Sequence, residues 1–94
     1  MTRRRYLIAY DIREPARLRR VAKVMESFGD RLQYSVFVCD LSRLELLNWH
    51  RRILDVCELN EDSIVTIDLG APGSKDISFL GAHRPLPRNG PVIV

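Results

Sequence analysis

Apolar residues follow two different spacings along the first third of the chain. Residues 6–12 read Y-L-I-A-Y-D-I, an almost continuous apolar run that is typical of a strand at the centre of a sheet. Residues 15–28 instead carry apolar side chains every three or four positions, which predicts an amphipathic helix. The apolar face of that helix contains Leu18, Val21, Ala22, Met25 and Phe28. Pro15 and Glu14 suit its first turn, and Gly29 is expected to cap its end.

The rest of the chain continues the alternation of strands and helices. Residues 32–41 are rich in β-branched and aromatic side chains, and predict either one long strand or two strands bent near 33–35. Ser42 and Glu45 have capping-box spacing, so a second helix should run to about Cys57. Its buried face should contain Leu46, Trp49, Ile53, Val56 and Cys57. Residues 63–69 alternate and predict a strand with Val65, Ile67 and Leu69 on one face, and residues 77–80 predict one further short strand.

This order predicts an α+β fold, a ferredoxin-like βαββαβ sandwich with an extra C-terminal strand. With 94 residues the chain has room for one domain, assigned to 1–82, and a Pro-rich tail, 83–94. A chain this short often gains stability by forming a homodimer. The apolar ending Val-Ile-Val suggests that the tail packs against the partner chain.

Charge is distributed unevenly along the sequence. Residues 1–52 have a net charge of +6 and residues 53–94 a net charge of −3, and all but two of the fifteen basic residues are arginine. Because a guanidinium binds phosphate oxygens in pairs, this asymmetry favours a polyanionic partner. A merely solvated basic face is the alternative interpretation.

Cysteine usage and hydropathy bear on the cellular compartment. Cys39 and Cys57 lack metal-ligand spacing, and two buried free thiols in a reducing cytoplasm are the expected arrangement. No apolar stretch approaches the length of a membrane span. The sequence therefore predicts a soluble, cytoplasmic protein with no membrane partner.

Asp11 is the first candidate for chemistry, because a carboxylate at the end of a buried run needs a partner. It lies where a metal ligand or catalytic group is often found, but it could equally cap the following helix. One carboxylate is a poor magnesium site on its own. In a two-fold dimer, however, two copies of Asp11 near the axis could share one ion.

Arginines on the first helix are the second candidate. Arg17, Arg19 and Arg20 lie along this helix and Arg31 follows it, so they could bind phosphates without sequence preference. Neither His50 nor His83 has the surroundings of a general base. Asp40 and Asp68, near strand ends, are the alternative carboxylates.

Four segments together resemble a known family. They are Y-D-I at 10–12, L-R-R-V-A at 18–22, Q-Y-S-V-F at 33–37 and C-D-L-S at 39–42. The chain over about 4–70 is similar to the small CRISPR-associated spacer-acquisition protein, the Cas-two family. The resemblance implies a tight homodimer in which the last strand extends the partner's sheet, with Asp11 as the magnesium ligand and catalytic group.

The same resemblance implies further roles. It associates Tyr10, Arg20, Arg31 and Phe37 with the nucleic-acid face or the active centre, and Ser35 lies in the same motif. It implies a magnesium-dependent endonuclease acting on RNA or duplex DNA in antiviral defence. It also implies a second role, a non-catalytic DNA-binding adaptor that bridges subunits of a larger CRISPR integrase. An RNA-directed toxin of the same fold would have a similar sequence, whereas a small-molecule regulator is disfavoured by the arginine asymmetry.

Overall fold

The computed structural model describes residues 2–82. It contains four strands and two helices: β1 (Arg3–Asp11), α1 (Pro15–Glu26), β2 (Asp30–Gln33), β3 (Val36–Ser42), α2 (Arg43–Val56) and β4 (Ser63–Asp68). The predicted tail at 83–94 lies outside the described residues. No helix in 2–82 is long and apolar enough to cross a membrane.

The four strands form one antiparallel sheet in the order β2-β3-β1-β4. The apolar run of β1 therefore lies between two neighbours, as its composition predicts. This order, with one helix after β1 and one after β3, is the ferredoxin-like arrangement, so the predicted fold is confirmed.

The hydrophobic core lies between one face of the sheet and both helices. From β1 and the residue that follows it, the core includes Ile8, Tyr10 and Ile12. From β3 it includes Phe37, Cys39 and Leu41. The helices contribute Val21, Val24, Met25, Trp49 and Ile53, with Leu18, Phe28 and Leu46 at the margin. The predicted apolar faces of both helices are thus confirmed in their main positions.

The opposite face of the sheet, which we call the open face, has neither of the two helices of residues 2–82 against it. Strand alternation places Leu7, Ala9 and Asp11 of β1 there. On β4 the paired residues Val65 and Ile67 are 54% and 47% exposed. An apolar surface therefore runs along the open face and ends at Asp11.

The segment 32–41 consists of two strands rather than one. The break falls at residues 34 and 35, which form the turn between β2 and β3. The backbone N–H of Tyr10 donates to the Ser35 carbonyl at 3.0 Å, so this turn is fastened to β1. Of the two predicted alternatives, the bent one is confirmed.

The strand predicted at 77–80 is wrong for this chain. Within 2–82, no strand ladder includes these residues, because neither sheet edge pairs with them. Ile77 and Phe79 are half-buried instead, and with Leu7 and Leu32 they line a cavity of about 240 Å³ beside the open face. Their apolar side chains are therefore explained by contact with the sheet, not by strand pairing.

Gly29 has a different role from the predicted cap. The C-cap of α1 is Ser27, and Gly29 does not have a positive φ. A Cβ at this position would collide with Cys39 Sγ and with the Val38 carbonyl oxygen. Glycine is required here because the chain passes close against β3 as it enters β2.

Candidate functional site

Asp11 lies at the end of the central strand, exposed on the open face. Its strand partner in β4 is Ser63, at the start of that strand. Among residues 2–82, no hydrogen bond or ion pair occupies its carboxylate. The carboxylate is therefore available to a ligand or to a second protein chain.

The alternative interpretation of Asp11 as a helix cap is wrong. The N-cap of α1 is Glu14, whose carboxylate accepts from the backbone N–H groups of Ala16 at 3.0 Å and Arg17 at 2.8 Å. These two hydrogen bonds lower the pKa of Glu14 below its ordinary value. Because Glu14 satisfies the helix end, Asp11 is not needed there.

Tyr10 connects Asp11 to the β2–β3 turn. Its phenol donates to the Tyr34 carbonyl at 3.4 Å, in addition to the backbone hydrogen bond to Ser35. Burial raises the pKa of this phenol, and the nearby Arg31 opposes that shift. Ser35 and Tyr34 are thus held at the same end of the sheet as Asp11.

Phe37 lies beneath this end of the sheet and has no exposed surface. Its ring is 6.2 Å from that of Tyr10, and the Arg31 guanidinium lies 5.1 Å from its centroid. A side chain buried in this way cannot touch nucleic acid in this conformation. Its contact is with Arg31, which it holds over the ring.

Arg17 is committed to an ion pair inside the chain. Its guanidinium donates to Asp62 Oδ2 at 2.8 Å and to Glu61 Oε1 at 2.8 Å, and the Asp62 side chain is 0% exposed. Asp62 also accepts from the backbone N–H groups of Arg13 and Glu58. The guanidinium of Arg17 holds the pKa of Asp62 well below its usual range. Arg17 therefore fastens α1 to the loop before β4.

The arginines nearest the N-terminus are also paired with carboxylates. Arg3 forms two hydrogen bonds to Glu45, both at 3.0 Å, and this lowers the pKa of Glu45 to about 2. Arg4 binds Asp68 at 2.9 Å and Arg5 binds Asp40 at 2.7 Å. Both alternative carboxylates are thus occupied, and much of the N-terminal positive charge is compensated.

Arg19 and Arg20 differ from these arginines. Both are exposed on α1, and no ion pair with residues 2–82 involves either of them. Arg31 is almost as available, because its Nη2 lies 3.8 Å from Glu26 Oε2, beyond hydrogen-bond range. The predicted basic surface therefore consists of Arg19, Arg20 and Arg31, without Arg17.

A metal centre is not assembled by one chain. In the part of the chain that the structure describes, no three His, Cys, Asp or Glu side chains lie close enough to hold an ion.

His50 is exposed on α2, next to Trp49, and not packed into the core. Cys39 is buried, which raises its pKa to about 12, and Cys57 is half-buried. Asp11 fits a magnesium ion only if a second copy of the chain supplies further oxygen ligands.

Tyr34 was missed by the sequence-based prediction. It is 72% exposed in the β2–β3 turn and lines a cavity of about 390 Å³ together with Tyr10, Arg19 and Arg31. The motif that they share marks its neighbours Ser35 and Phe37 as candidates, whereas nothing in that motif marks Tyr34. An exposed aromatic residue beside arginines was the available signal.

The fold and these side chains define a small ferredoxin-like protein whose described residues, 2–82, leave two arginines of α1 without an ion pair and a carboxylate exposed at the end of the central strand. The family model for CRISPR associated protein Cas2 matches residues 4–77. The chain belongs to this family.

Individual relatives agree with the family match. The chain is 43% identical over 78 residues to a "CRISPR-associated endoribonuclease Cas2 2" of Synechocystis, covering 82% of this chain and 84% of the relative. It is 40% identical over 65 residues to the "CRISPR-associated endoribonuclease Cas2" of Geobacter sulfurreducens, covering 69% and 68%. The crystal structure of Streptococcus pyogenes Cas2 superposes with a TM-score of 0.73 at 30% identity, covering 82% of this chain and 99% of that one.

Proposed function

We propose that this chain is a magnesium-dependent endonuclease of CRISPR spacer acquisition that cleaves RNA or DNA phosphodiesters as a homodimer. The observation that carries the proposal is the position of Asp11, exposed and unpaired within 2–82 at the end of the central strand. The names of its relatives, CRISPR-associated endoribonucleases, give the reaction class and favour RNA as the substrate.

The open face supports a two-fold dimer. On the same face as Asp11, the apolar side chains Val65 and Ile67 of β4 are exposed, and Leu7 and Ala9 of β1 are half-buried. If this face is buried against a second copy about a two-fold axis that passes near Asp11, the two Asp11 carboxylates face each other, because a residue close to such an axis meets its own copy. Two carboxylates with water and a substrate phosphate are a suitable ligand set for magnesium.

Each group then has a defined task. Asp11 from both chains would hold the ion, which supplies Lewis-acid activation of the phosphate and a more acidic bound water. Arg19, Arg20 and Arg31 would bind the flanking phosphates. The phenol of Tyr10 is occupied by the Tyr34 carbonyl and its pKa is raised, so it is not a general base.

The direct test is cleavage of labelled single-stranded RNA and duplex DNA by purified protein, with and without magnesium. Cleavage that needs magnesium is the expected result. Stable binding without cleavage would instead favour the second candidate, a non-catalytic adaptor that bridges subunits of a larger integrase. That candidate is favoured by the absence, within 2–82, of any group of three His, Cys, Asp or Glu side chains that could hold a metal ion.

The dimer interface gives a separate prediction. Ile67→Glu should weaken self-association by at least about thirtyfold, because it places a charge in an apolar contact. Thr66→Glu is the matched control, since Thr66 is exposed on the same strand but pairs with Ile8 on the helix side. Sedimentation equilibrium measures both. A wild-type chain that stays monomeric at micromolar concentration would contradict the shared Asp11 site.

Nucleic-acid binding can be tested through the unpaired arginines. The double variant Arg19→Gln/Arg20→Gln should bind duplex DNA about tenfold more weakly, with a salt dependence lowered by about two phosphate contacts. Arg3→Gln/Arg4→Gln removes the same charge from arginines already paired with Glu45 and Asp68, and should change affinity little. Fluorescence anisotropy at several salt concentrations distinguishes them. Equal losses in both variants would mean that net charge alone drives binding.

A further inference from the structure

The cavity beside Tyr34 is distinct from the Asp11 carboxylate. Its volume is about 390 Å³, and it lies between α1 and the β2–β3 hairpin on the helix side of the sheet. We call it the Tyr34 cavity; its lining includes Tyr10, Leu18, Arg19, Ala22, Arg31 and Tyr34. This volume falls at the lower end of the range for small-molecule sites.

The polar groups of the Tyr34 cavity are mainly cationic. Arg19 has no ion-pair partner within 2–82, and Arg31 forms only a long ion pair to Glu26, at 3.8 Å, which is beyond hydrogen-bond range. Among residues 2–82, no carboxylate is part of the lining. Within 2–82, one of these guanidinium groups has no ion pair and the other has only a long one to an exposed carboxylate, which favours an anionic ligand; their planar donor arrangement suits a phosphate.

The remaining lining is apolar and aromatic. Leu18 and Ala22 of α1 lie on one side, and Tyr34 stands in the turn with most of its side chain in water. The backbone of this turn is fixed, because the Tyr34 and Ser35 carbonyls accept hydrogen bonds from the Tyr10 side chain and backbone. An exposed aromatic ring on a fixed backbone is suited to stacking against a planar group.

We propose that the Tyr34 cavity binds one unpaired nucleotide, with its base against Tyr34 and its phosphate against Arg19 and Arg31. The inference rests on the proposed function and deepens it, because it implies that the nucleic-acid substrate contains a single-stranded segment. A paired base could not enter, since its faces are covered by its neighbours in the duplex. Stacking of this kind accepts any base, which agrees with a protein that reads no particular sequence.

The test is titration of isotope-labelled protein with AMP, followed by NMR and without magnesium. We expect saturable shifts in the backbone amides of residues 18–22 and 31–35. Ribose 5-phosphate, which carries the phosphate but no base, should bind about tenfold more weakly, since base stacking is absent. Tyr34→Ala should weaken AMP binding to the level of ribose 5-phosphate, whereas Tyr34→Phe should retain AMP affinity within about threefold.

Tyr34→Ala should fold normally, because the replaced side chain is exposed and its backbone carbonyl remains available to Tyr10. Equal affinity for AMP and ribose 5-phosphate would mean that the cavity binds the phosphate but not the base, and this would overturn the proposal. Undiminished AMP binding by Tyr34→Ala, or shifts outside the cavity, would also overturn it. Since this titration involves neither magnesium nor cleavage, its result is independent of whether Asp11 supports hydrolysis.

Discussion

Asp11→Asn is expected to lower magnesium-dependent cleavage by at least about 100-fold while nucleic-acid binding is retained. Asparagine has the same shape but no negative charge, so two facing copies would no longer attract a divalent cation. A loss of this size is typical when one group that stabilises the transition state is removed. Folding should be unaffected, because the carboxylate is exposed and makes no hydrogen bond to residues 2–82.

The matched control for this variant is Asp55→Asn, which removes another exposed carboxylate, on α2. Both proteins should be prepared identically and assayed for cleavage and for binding on the same samples. Equal cleavage by Asp11→Asn and Asp55→Asn would point to a contaminating nuclease. If the wild type does not cleave but binds DNA in a salt-dependent manner, the adaptor function is the better account.

Asp62→Ala is expected to have the largest effect on stability, lowering the Tm by roughly 10–20 °C. The Asp62 carboxylate accepts from Arg17 and from two backbone N–H groups, those of Arg13 and Glu58. Its removal leaves three donors of part-buried hydrogen bonds without their acceptor, which destabilises a fold more than the loss of one exposed contact. Thermal unfolding followed by circular dichroism measures the change.

Glu61→Ala is the natural comparison, because Glu61 binds the same arginine but is exposed. It should lower the Tm by less than about 4 °C. If both substitutions have equal effects, the burial of Asp62 is not what stabilises this loop.

The same carboxylate gives the stability of the protein a pH dependence. Arg17 holds the pKa of Asp62 below its ordinary value in the folded state. The ion pair therefore contributes fully at a pH above the ordinary aspartate pKa, about 3.9, and its contribution is lost as the pH falls further. Asp62→Asn should accordingly show a shallower loss of stability in acid than the wild type.

Local patterns predicted most of the fold. The apolar run ending at Asp11 and the capping box at Ser42 are encoded within a few residues, so β1 and α2 followed from the sequence. The strand expected at 77–80 failed because an alternating apolar segment becomes a strand only where a sheet edge pairs with it. Here its side chains pack beside the open face instead.

The candidate site was predictable only in part. The place of Asp11 followed from its position at the end of a buried run. The ion pairs of Arg17 and the N-terminal arginines did not, because their partners are distant in sequence; Arg17 and Asp62 are separated by 45 positions. The sequence gives the number of positive charges, but only the fold shows which of them are already paired with carboxylates. For this reason Arg19 and Arg20, not Arg17, remain as the candidates for phosphate binding on α1.

The adjacent residues Tyr10 and Asp11 point to opposite sides of one sheet. Strand alternation places the Tyr10 ring over the core, beside the Tyr34 cavity, and the Asp11 carboxylate on the open face. A strand of nucleic acid that reached both would have to bend around the rim of the sheet. The protein would then discriminate between nucleic-acid substrates by their length. Very short fragments would occupy one side only, whereas a longer, pliable strand would be anchored on one side and presented for hydrolysis on the other.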